Sequence, residues 1–420
     1  MKVSQSKYIN RILLWLFVLG ITGMGPTTLI SCSNDDNLPD EEKEEESVPI
    51  KARVYETIRY DSDKTTAYNF EYPSVDPYGK PVMLSGTITV GDEVDDTHPG
   101  KGLLLYNHFT INKKDECPSK GELGLQKLVT GSGLITISAD YYGFGITEDK
   151  HQAYCIAGVN AQASVDALLA AKELLPTLGY SWNDKLLFNL GYSQGAQTAM
   201  GVVRLIDQKY PHLHITHTYA GGGPYDIPET YRHLIEKDDT DMPSTIISVL
   251  LAYNEYYELG IPREKMFKEP YLSNIDEWIL SKKYSSSQID AKIGKASISD
   301  ILTPELLDLN SDLSKKIMAA LEDDNLCKGW NPLTNNHILL LHNTKDKSVP
   351  VENTENLYQF LLKQGMPKEN ISYNVTNMGS IYGTAHETGA AMFALMSISK
   401  MCDILDIKLW FSILDVVNKL

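Results

Sequence analysis

The amino-acid sequence predicts an α/β protein with a mostly parallel central sheet, helices on both faces and an inserted helical cap. From residue 102 onward, short apolar runs alternate with longer stretches of helical spacing, as in consecutive βα units. In one of these units, residues 185–208, a sharp glycine-flanked turn separates the strand from the helix. The alternation stops at residue 227 and resumes near residue 336. These three observations predict the fold class.

Antiparallel strands are predicted before the alternation begins. β-branched and aromatic residues dominate this part of the chain, and the last strand alternates apolar and polar positions. A turn at residues 77–81, with two prolines and a glycine, precedes that last strand. The three predicted strands are residues 54–60, 66–72 and 82–90.

The βα units supply the rest of the predicted core. Their strands are residues 102–106, 134–138, 186–190, 213–219, 337–341 and 371–375. Their helices are residues 123–129, 160–175, 351–364 and 388–405, together with the helix that follows the turn at residues 191–195.

The interruption is predicted to be a cap, because about a hundred residues are too many for a plain loop. Only helical segments are recognised within it, over residues 243–259, 304–309 and 312–321. The predicted domains are therefore a core in two parts, residues 48–226 and 336–420, with the cap at residues 227–335.

Residues 191–195, Gly-Tyr-Ser-Gln-Gly, have the G-x-S-x-G pattern of a nucleophile elbow, in which a serine stands at the top of a strand–turn–helix. So tight a turn brings Gly191 and Gly195 close together, and only small residues fit there. Ser193 is the candidate nucleophile, and the Gln194 N–H would face a developing oxyanion. The alternative is an ordinary βα turn.

A serine nucleophile needs a base and an acid that orients the base. On this architecture they follow the serine in the order acid, then histidine. Asp346 comes soon after the strand at 337–341, and His386 is predicted in the loop between the last strand and the last helix. Asp226 and His342 are the alternatives to these two residues.

A second oxyanion donor is expected from the backbone after the strand at residues 102–106. The candidates there are the N–H groups of Phe109 and Thr110, and the sequence does not choose between them. The alternative is that this segment is only the end of a strand.

With these motifs, the chain resembles the α/β-hydrolases of the esterase and lipase type, and is most similar to secretory lipases and related bacterial serine esterases. The similarity spans roughly residues 50–405. It rests on residues 191–195, the Asp140-Tyr141-Tyr142-Gly143 turn, Gly223-Pro224-Tyr225-Asp226, the Asp346 turn with Val349-Pro350, and the His386 loop.

The resemblance implies a carboxylic ester hydrolase that forms an acyl-enzyme, with no cofactor and no metal. Its substrate would be a small-molecule, lipid or carbohydrate ester. Phe109 departs from these families, which often have glycine after the histidine, and we expect its side chain to narrow or line the acyl pocket. The alternatives are a serine peptidase on the same fold and a non-catalytic surface binding protein.

The first 47 residues are predicted to direct export and anchoring. Residues 1–31 have a basic start and an apolar stretch too short to span a membrane, as in a signal peptide. Leu29-Ile30-Ser31-Cys32 resembles a lipoprotein lipobox, in which Cys32 is lipidated. Residues 32–47 are predicted to be an acidic disordered tether. The protein is thus expected on the outer membrane, the cell surface or the periplasmic face, and the alternative is a soluble secreted protein.

The charge of the chain argues against nucleic acid as a partner. The formal net charge is −17; without the three positive charges of the leader it is −20, of which the tether carries −7. The remaining charge of about −13 would repel polyanions and anionic membrane surfaces, so contact with a membrane is expected only through the lipid anchor. The oligomeric state is left open.

Neither the histidines nor the cysteines form a metal-ligand pattern. His212, His214 and His217 lie close together in sequence, but no acid or cysteine nearby completes a site. Export permits disulfides. Cys117 and Cys155 are candidates for a pair, while Cys327 and Cys402 are left open.

Overall fold

The computed structural model describes residues 51–61, 64–121, 129 and 131–407. The leader, Cys32, the tether and most of the predicted helix at 123–129 lie outside these residues. In the described part of the chain, none of the helices combines the length and the apolar character needed to cross a membrane.

In the residues that the structure describes, nine strands form one sheet, in the order β1-β2-β3-β5-β4-β6-β7-β8-β9. The pairs β1–β2, β2–β3 and β3–β5 are antiparallel, and all later pairs are parallel. The strands are β1 (Arg53–Tyr60), β2 (Thr65–Val75), β3 (Pro81–Gly91), β4 (Gly102–Asn107), β5 (Leu134–Ala139), β6 (Leu187–Tyr192), β7 (His217–Gly221), β8 (His337–Asn343) and β9 (Ile371–Thr376). The predicted fold class is confirmed.

Four long helices in the described residues belong to the sheet: α1 (Ala157–Thr177), α2 (Gln194–Lys209), α10 (Glu352–Lys363) and α11 (Ala385–Ile404). They cover both faces of the sheet. Successive residues of a strand point to opposite faces, so both sets of side chains are buried under helices. In β8, Ile338 and Leu340 share a buried cluster with α1, α2 and α10. Leu339 and Leu341 share another with Phe393 of α11. Burial on both sides explains why these strands are continuous apolar runs.

Between β7 and β8 the chain is helical, as predicted, but it is divided into more and shorter helices than the sequence indicated. The helices are α3 (Ile227–Lys237), α4 (Pro243–Tyr256), α5 (Tyr271–Ile275), α6 (Ser286–Ile293), α7 (Ile298–Ile301), α8 (Pro304–Leu307) and α9 (Asp312–Asp323). We call α3–α9 the helical segment. It has an apolar cluster of its own, which also takes in Ala153–Ile156 from the loop before α1.

Three predicted boundaries differ from the structure, and the third of them matters for the site. The strand predicted from residue 213 begins only at His217. The helix predicted over 243–259 ends at Tyr256. The last helix begins at Ala385 rather than at residue 388, because Thr384 caps it and exchanges hydrogen bonds with Glu387. His386 therefore lies in the first turn of α11 and not in a loop.

Candidate active site

Ser193 stands on the turn between β6 and α2 with φ 57° and ψ −125°, a backbone conformation that non-glycine residues seldom adopt. Space at this turn is minimal. A Cβ on Gly191 would overlap the Gly195 carbonyl, and one on Gly195 would overlap the carbonyl of Asn107. The Ser193 N–H donates to the Gly221 carbonyl at 2.9 Å. The two glycines are therefore required by the turn, which holds the serine at the carboxyl edge of the parallel strands.

The structure brings Ser193, His386 and Asp346 together in one hydrogen-bonded chain. The Ser193 Oγ lies 2.9 Å from His386 Nε2. The other ring nitrogen, Nδ1, lies 2.6 Å from Asp346 Oδ2. His386 and Asp346 are 4% and 7% exposed, whereas Ser193 is more accessible. A hydroxyl in this arrangement can lose its proton to the imidazole as it attacks a carbonyl carbon.

Asp346 is held in place by its own loop. Its Oδ1 accepts hydrogen bonds from the N–H groups of Ser348 (2.9 Å) and Val349 (3.0 Å). That leaves Oδ2 for His386. His342 Nε2 lies 3.4 Å from the same oxygen. His342 is thus placed beside the carboxylate and not beside the serine, so it is not the base that we weighed as an alternative.

The two buried groups shift each other's titration. Burial alone would raise the pKa of the Asp346 carboxyl, but the charge of His386, helped by His342, holds that pKa well below its usual value. Burial alone would lower the pKa of His386, but the Asp346 carboxylate outweighs it and raises the pKa above 6.5. Each partner therefore favours the charged form of the other.

Two residues that the sequence did not single out position the histidine. The Tyr192 hydroxyl donates to the His386 carbonyl at 2.7 Å. The Asn343 amide donates to the carbonyls of Ala385 and Gly379, both at 2.8 Å. Both residues end strands of the sheet, so they tie the start of α11 to the strands that carry the serine and the acid.

The candidate oxyanion residues differ in how deeply they are buried. The Gln194 N–H is in the first turn of α2, where no intrahelical acceptor exists. Thr110 is 9% exposed, and its Oγ1 lies 2.9 Å from the Tyr154 hydroxyl. Phe109 is 53% exposed and does not line the pocket beside Ser193. The expectation that its side chain would narrow or line the acyl pocket was wrong, because the ring points to solvent.

That pocket lies beside Ser193, where α3 and α4 face the carboxyl edge of the sheet. It has about 540 Å³ of empty volume, part of it open to solvent. Apolar side chains at helical spacing form two of its walls. They are Ile227, Tyr231 and Leu234 on α3, and Ile246 and Val249 on α4, with Met242 just before that helix. Such a pocket suits an apolar ligand chain.

The remaining sequence candidates have structural roles or lie apart. Asp226 caps α3 by accepting from the Glu229 N–H, and it also accepts from the amides of Asn325 and Asn356. In the described ranges, no three His, Cys, Asp or Glu side chains are grouped so that they could hold a metal. Cys117 and Cys155 are both buried free thiols, so the pair we considered is not formed. Cys327 and Cys402 are free as well.

A family model described as secretory lipase matches residues 125–397, about two thirds of the chain. No curated protein sequence matches. The similar solved structures include a candidate hydrolase from Legionella pneumophila, with a TM-score of 0.71 and 18% identity over 86% of this chain and 99% of that one. The rice cell wall degrading esterase LipA from Xanthomonas oryzae has a TM-score of 0.67 and 20% identity, covering 85% and 97% of the two chains.

Candida antarctica lipase A, in its closed state, is also similar, with a TM-score of 0.62 and 16% identity. The similarity covers 86% of this chain and 83% of that one. At such low identities the solved structures support only the fold, and the match to the family model shows the family relationship.

Proposed function

Because the chain belongs to the secretory lipase family, we propose that this carboxylic ester hydrolase works through Ser193, His386 and Asp346. One observation carries the proposal: the unbroken contacts from Ser193 Oγ to His386 Nε2 at 2.9 Å and from His386 Nδ1 to Asp346 Oδ2 at 2.6 Å. The order of the three residues along the chain, serine, acid and histidine, also fits this fold.

In the first half of the reaction, the Ser193 oxygen attacks the ester carbonyl carbon while His386 Nε2 takes the serine proton. The tetrahedral intermediate collapses when the same proton passes to the alcohol oxygen, which leaves an acyl-enzyme on Ser193. Water then attacks the acyl carbon, with His386 again as base and then as acid. Asp346 keeps His386 in the tautomer with Nδ1 protonated and stabilises the imidazolium.

The oxyanion would be held by backbone N–H groups. Gln194 supplies one, since its N–H is at the start of α2 and the helix dipole favours negative charge there. The second comes from Phe109 or Thr110. Thr110 is the better supported of the two, because it is buried and its hydroxyl is fixed to Tyr154.

The acyl chain would lie in the apolar pocket between α3 and α4. Three hydroxyls of that pocket already have protein partners: Thr230 donates to the Asp226 carbonyl, Thr245 to Met242 and Tyr231 to Leu306. Two other polar atoms of its lining residues, Ser348 Oγ and Gln194 Oε1, have no partner but are buried. The walls on α3 and α4 are mainly apolar and present few accessible polar atoms to a sugar ring, so the pocket favours an aliphatic acyl group over a polar one.

The experiment is hydrolysis of p-nitrophenyl esters of increasing chain length, beside p-nitroanilide peptides, by residues 48–420. We expect esters to be cleaved and anilides not. Val249→Trp, which fills the pocket from a half-buried position, should lower kcat/KM for the longer esters by at least about tenfold and for the acetate by less than about threefold.

Glu255→Trp, on an exposed position of the same helix, is the matched control and should keep the wild-type profile. Faster cleavage of anilides than of esters would contradict the ester assignment. An unchanged chain-length profile in Val249→Trp would contradict the acyl pocket.

The protein would be exported and held at a membrane by a lipid on Cys32, with the acidic residues up to 47 as a tether. Membership in the secretory lipase family supports export. The lipobox-like sequence ending at Cys32 supports the anchor. We expect the full chain in the membrane fraction and the Cys32→Ser variant outside it. Equal partitioning of the two would contradict the anchor.

A further inference from the structure

Asp324 lies just after α9, where the chain returns from the helical segment toward β8. It is a carboxylate at 3% exposure, which is costly unless several donors surround it. Four donors do so, and they come from three different helices.

The first two donors are at the start of α1. The Ala157 N–H donates to Asp324 Oδ2, and the Gly158 N–H donates to Oδ1 at 3.2 Å. Ile156, the residue that precedes the helix, has no capping side chain. A carboxylate from the far end of the helical segment therefore caps α1, where the helix dipole also favours a negative charge.

The other two donors come from α2 and α4. Arg204 Nη2 of α2, the helix that begins at the nucleophile turn, lies 3.5 Å from Asp324 Oδ1. The Tyr253 hydroxyl of α4 lies 3.0 Å from Asp324 Oδ2 and also 3.0 Å from the Cys155 carbonyl. Asp324 thus links three helices: α2, which begins at the nucleophile turn, α1, and α4, which forms a wall of the pocket.

Residues 154–158, which we call the junction segment, lead from Asp324 to the reacting centre. The Tyr154 hydroxyl contacts Thr110 Oγ1 at 2.9 Å, next to the candidate oxyanion donor. The Cys155 carbonyl accepts from the Gln197 amide of α2 at 3.1 Å. Cys155 has φ 54°, so its conformation is maintained by its neighbours and not by its own preference.

We propose that Asp324 is a positioning residue for ester hydrolysis. By holding Ala157, Gly158 and Tyr253, it keeps the junction segment where Thr110 and the pocket wall are aligned with Ser193. Asp324 does not touch the substrate and acts only through these contacts. The proposal rests on the proposed function, because it concerns the same oxyanion site and the same pocket.

The test compares Asp324→Asn and Tyr253→Phe with wild-type protein on the p-nitrophenyl ester that is cleaved fastest. Displacement of Thr110 by a fraction of an ångström should reduce the stabilisation of the transition state more than it reduces the binding of substrate. We expect kcat to fall at least about tenfold in Asp324→Asn and about fivefold in Tyr253→Phe, with KM changed less than about threefold.

Tyr257→Phe is the matched control, since its ring stacks on Tyr253 with the centroids 5.2 Å apart, and its hydroxyl is hydrogen-bonded to Asp323 and not to Asp324. It should keep kcat within about twofold of wild type. Melting temperatures are measured for every variant. If Asp324→Asn does not fold, Tyr253→Phe alone decides, because it removes one hydroxyl and preserves the ring.

A melting temperature that falls while kcat stays at the wild-type value in both variants would overturn the proposal and leave Asp324 with a purely structural role. Ser193→Ala, assayed beside them, separates this failure from a failure of the proposed function. If Ser193→Ala retains the wild-type rate, the serine mechanism itself is wrong. If Ser193→Ala is inactive and the Asp324 variants are not impaired, only the positioning role is wrong.

Discussion

At the scale of single residues, a buried carboxylate sets the proton affinity of the histidine beside Ser193. Asp346 is fixed by two backbone N–H groups, so it cannot turn away from His386. Its charge raises the pKa of His386 above 6.5, against the effect of burial. Only the neutral imidazole can take the serine proton. Ester hydrolysis should therefore be lost on the acid side as His386 becomes protonated.

The exposed Glu387 allows the titration of His386 to be tested without changing any residue of the candidate triad. Its carboxylate also raises the pKa of His386, although less than Asp346 does. In Glu387→Gln the charge is removed, but glutamine can still complete the capping box with Thr384. We expect kcat/KM to follow one ionisation with a midpoint above 6.5, and Glu387→Gln to move that midpoint to lower pH.

The measurement is kcat/KM against pH for the two proteins at low ionic strength, where a surface charge is screened least. Since Glu387→Gln removes only one surface charge, kcat at the alkaline plateau should remain within about twofold of wild type. A midpoint that stays in place, or moves to higher pH, would contradict the electrostatic link between Glu387 and His386.

The three residues of the candidate triad could be predicted from the sequence, but the residues that hold them in place could not. Ser193 is marked by its glycines, and Asp346 and His386 follow it in the order that this fold requires. Tyr192 and Asn343 bind backbone carbonyls of residues far along the chain. Nothing in the local sequence tells which carbonyl a buried tyrosine or asparagine will meet, because that depends on how the strands and α11 are packed.

At the scale of elements, strands buried on both sides were the easiest to predict. Their continuous apolar runs stand out, as in residues 338–341 of β8. Helix starts were harder. The N-terminus of α3 was missed although Asp226, Pro228 and Glu229 form a good start signal. That omission matters, since α3 forms one wall of the pocket.

The position of His386 also depends on where an element begins. With the helix starting at Ala385, His386 is held by helical geometry, by the Thr384 cap and by Tyr192. In a flexible loop, the imidazole would have to be reoriented toward Ser193 in each catalytic cycle. A capped helix start fixes it in advance, which is the kind of preorganisation that catalysis by positioned groups requires.

At the scale of the whole described domain, the helical segment has its own apolar cluster, and buried polar groups connect it to helices and loops that flank the sheet. Asp324 is one such group. Lys282 is another, since its ammonium donates to the carbonyls of Gly143, Glu148 and Lys150. Burial lowers the pKa of Lys282 to about 8. These contacts could not be predicted from the sequence, because they join residues between 71 and 167 positions apart.

The central claim, that Ser193 is the nucleophile of an ester hydrolase activated by His386, is tested most directly by covalent capture. Residues 48–420 are treated with a fluorophosphonate ester, and the site and rate of modification are measured by mass spectrometry. We predict a single adduct on Ser193, formed at least about a thousandfold more slowly in His386→Ala. An adduct on another residue, or equal labelling of Ser193 with and without His386, would contradict the claim.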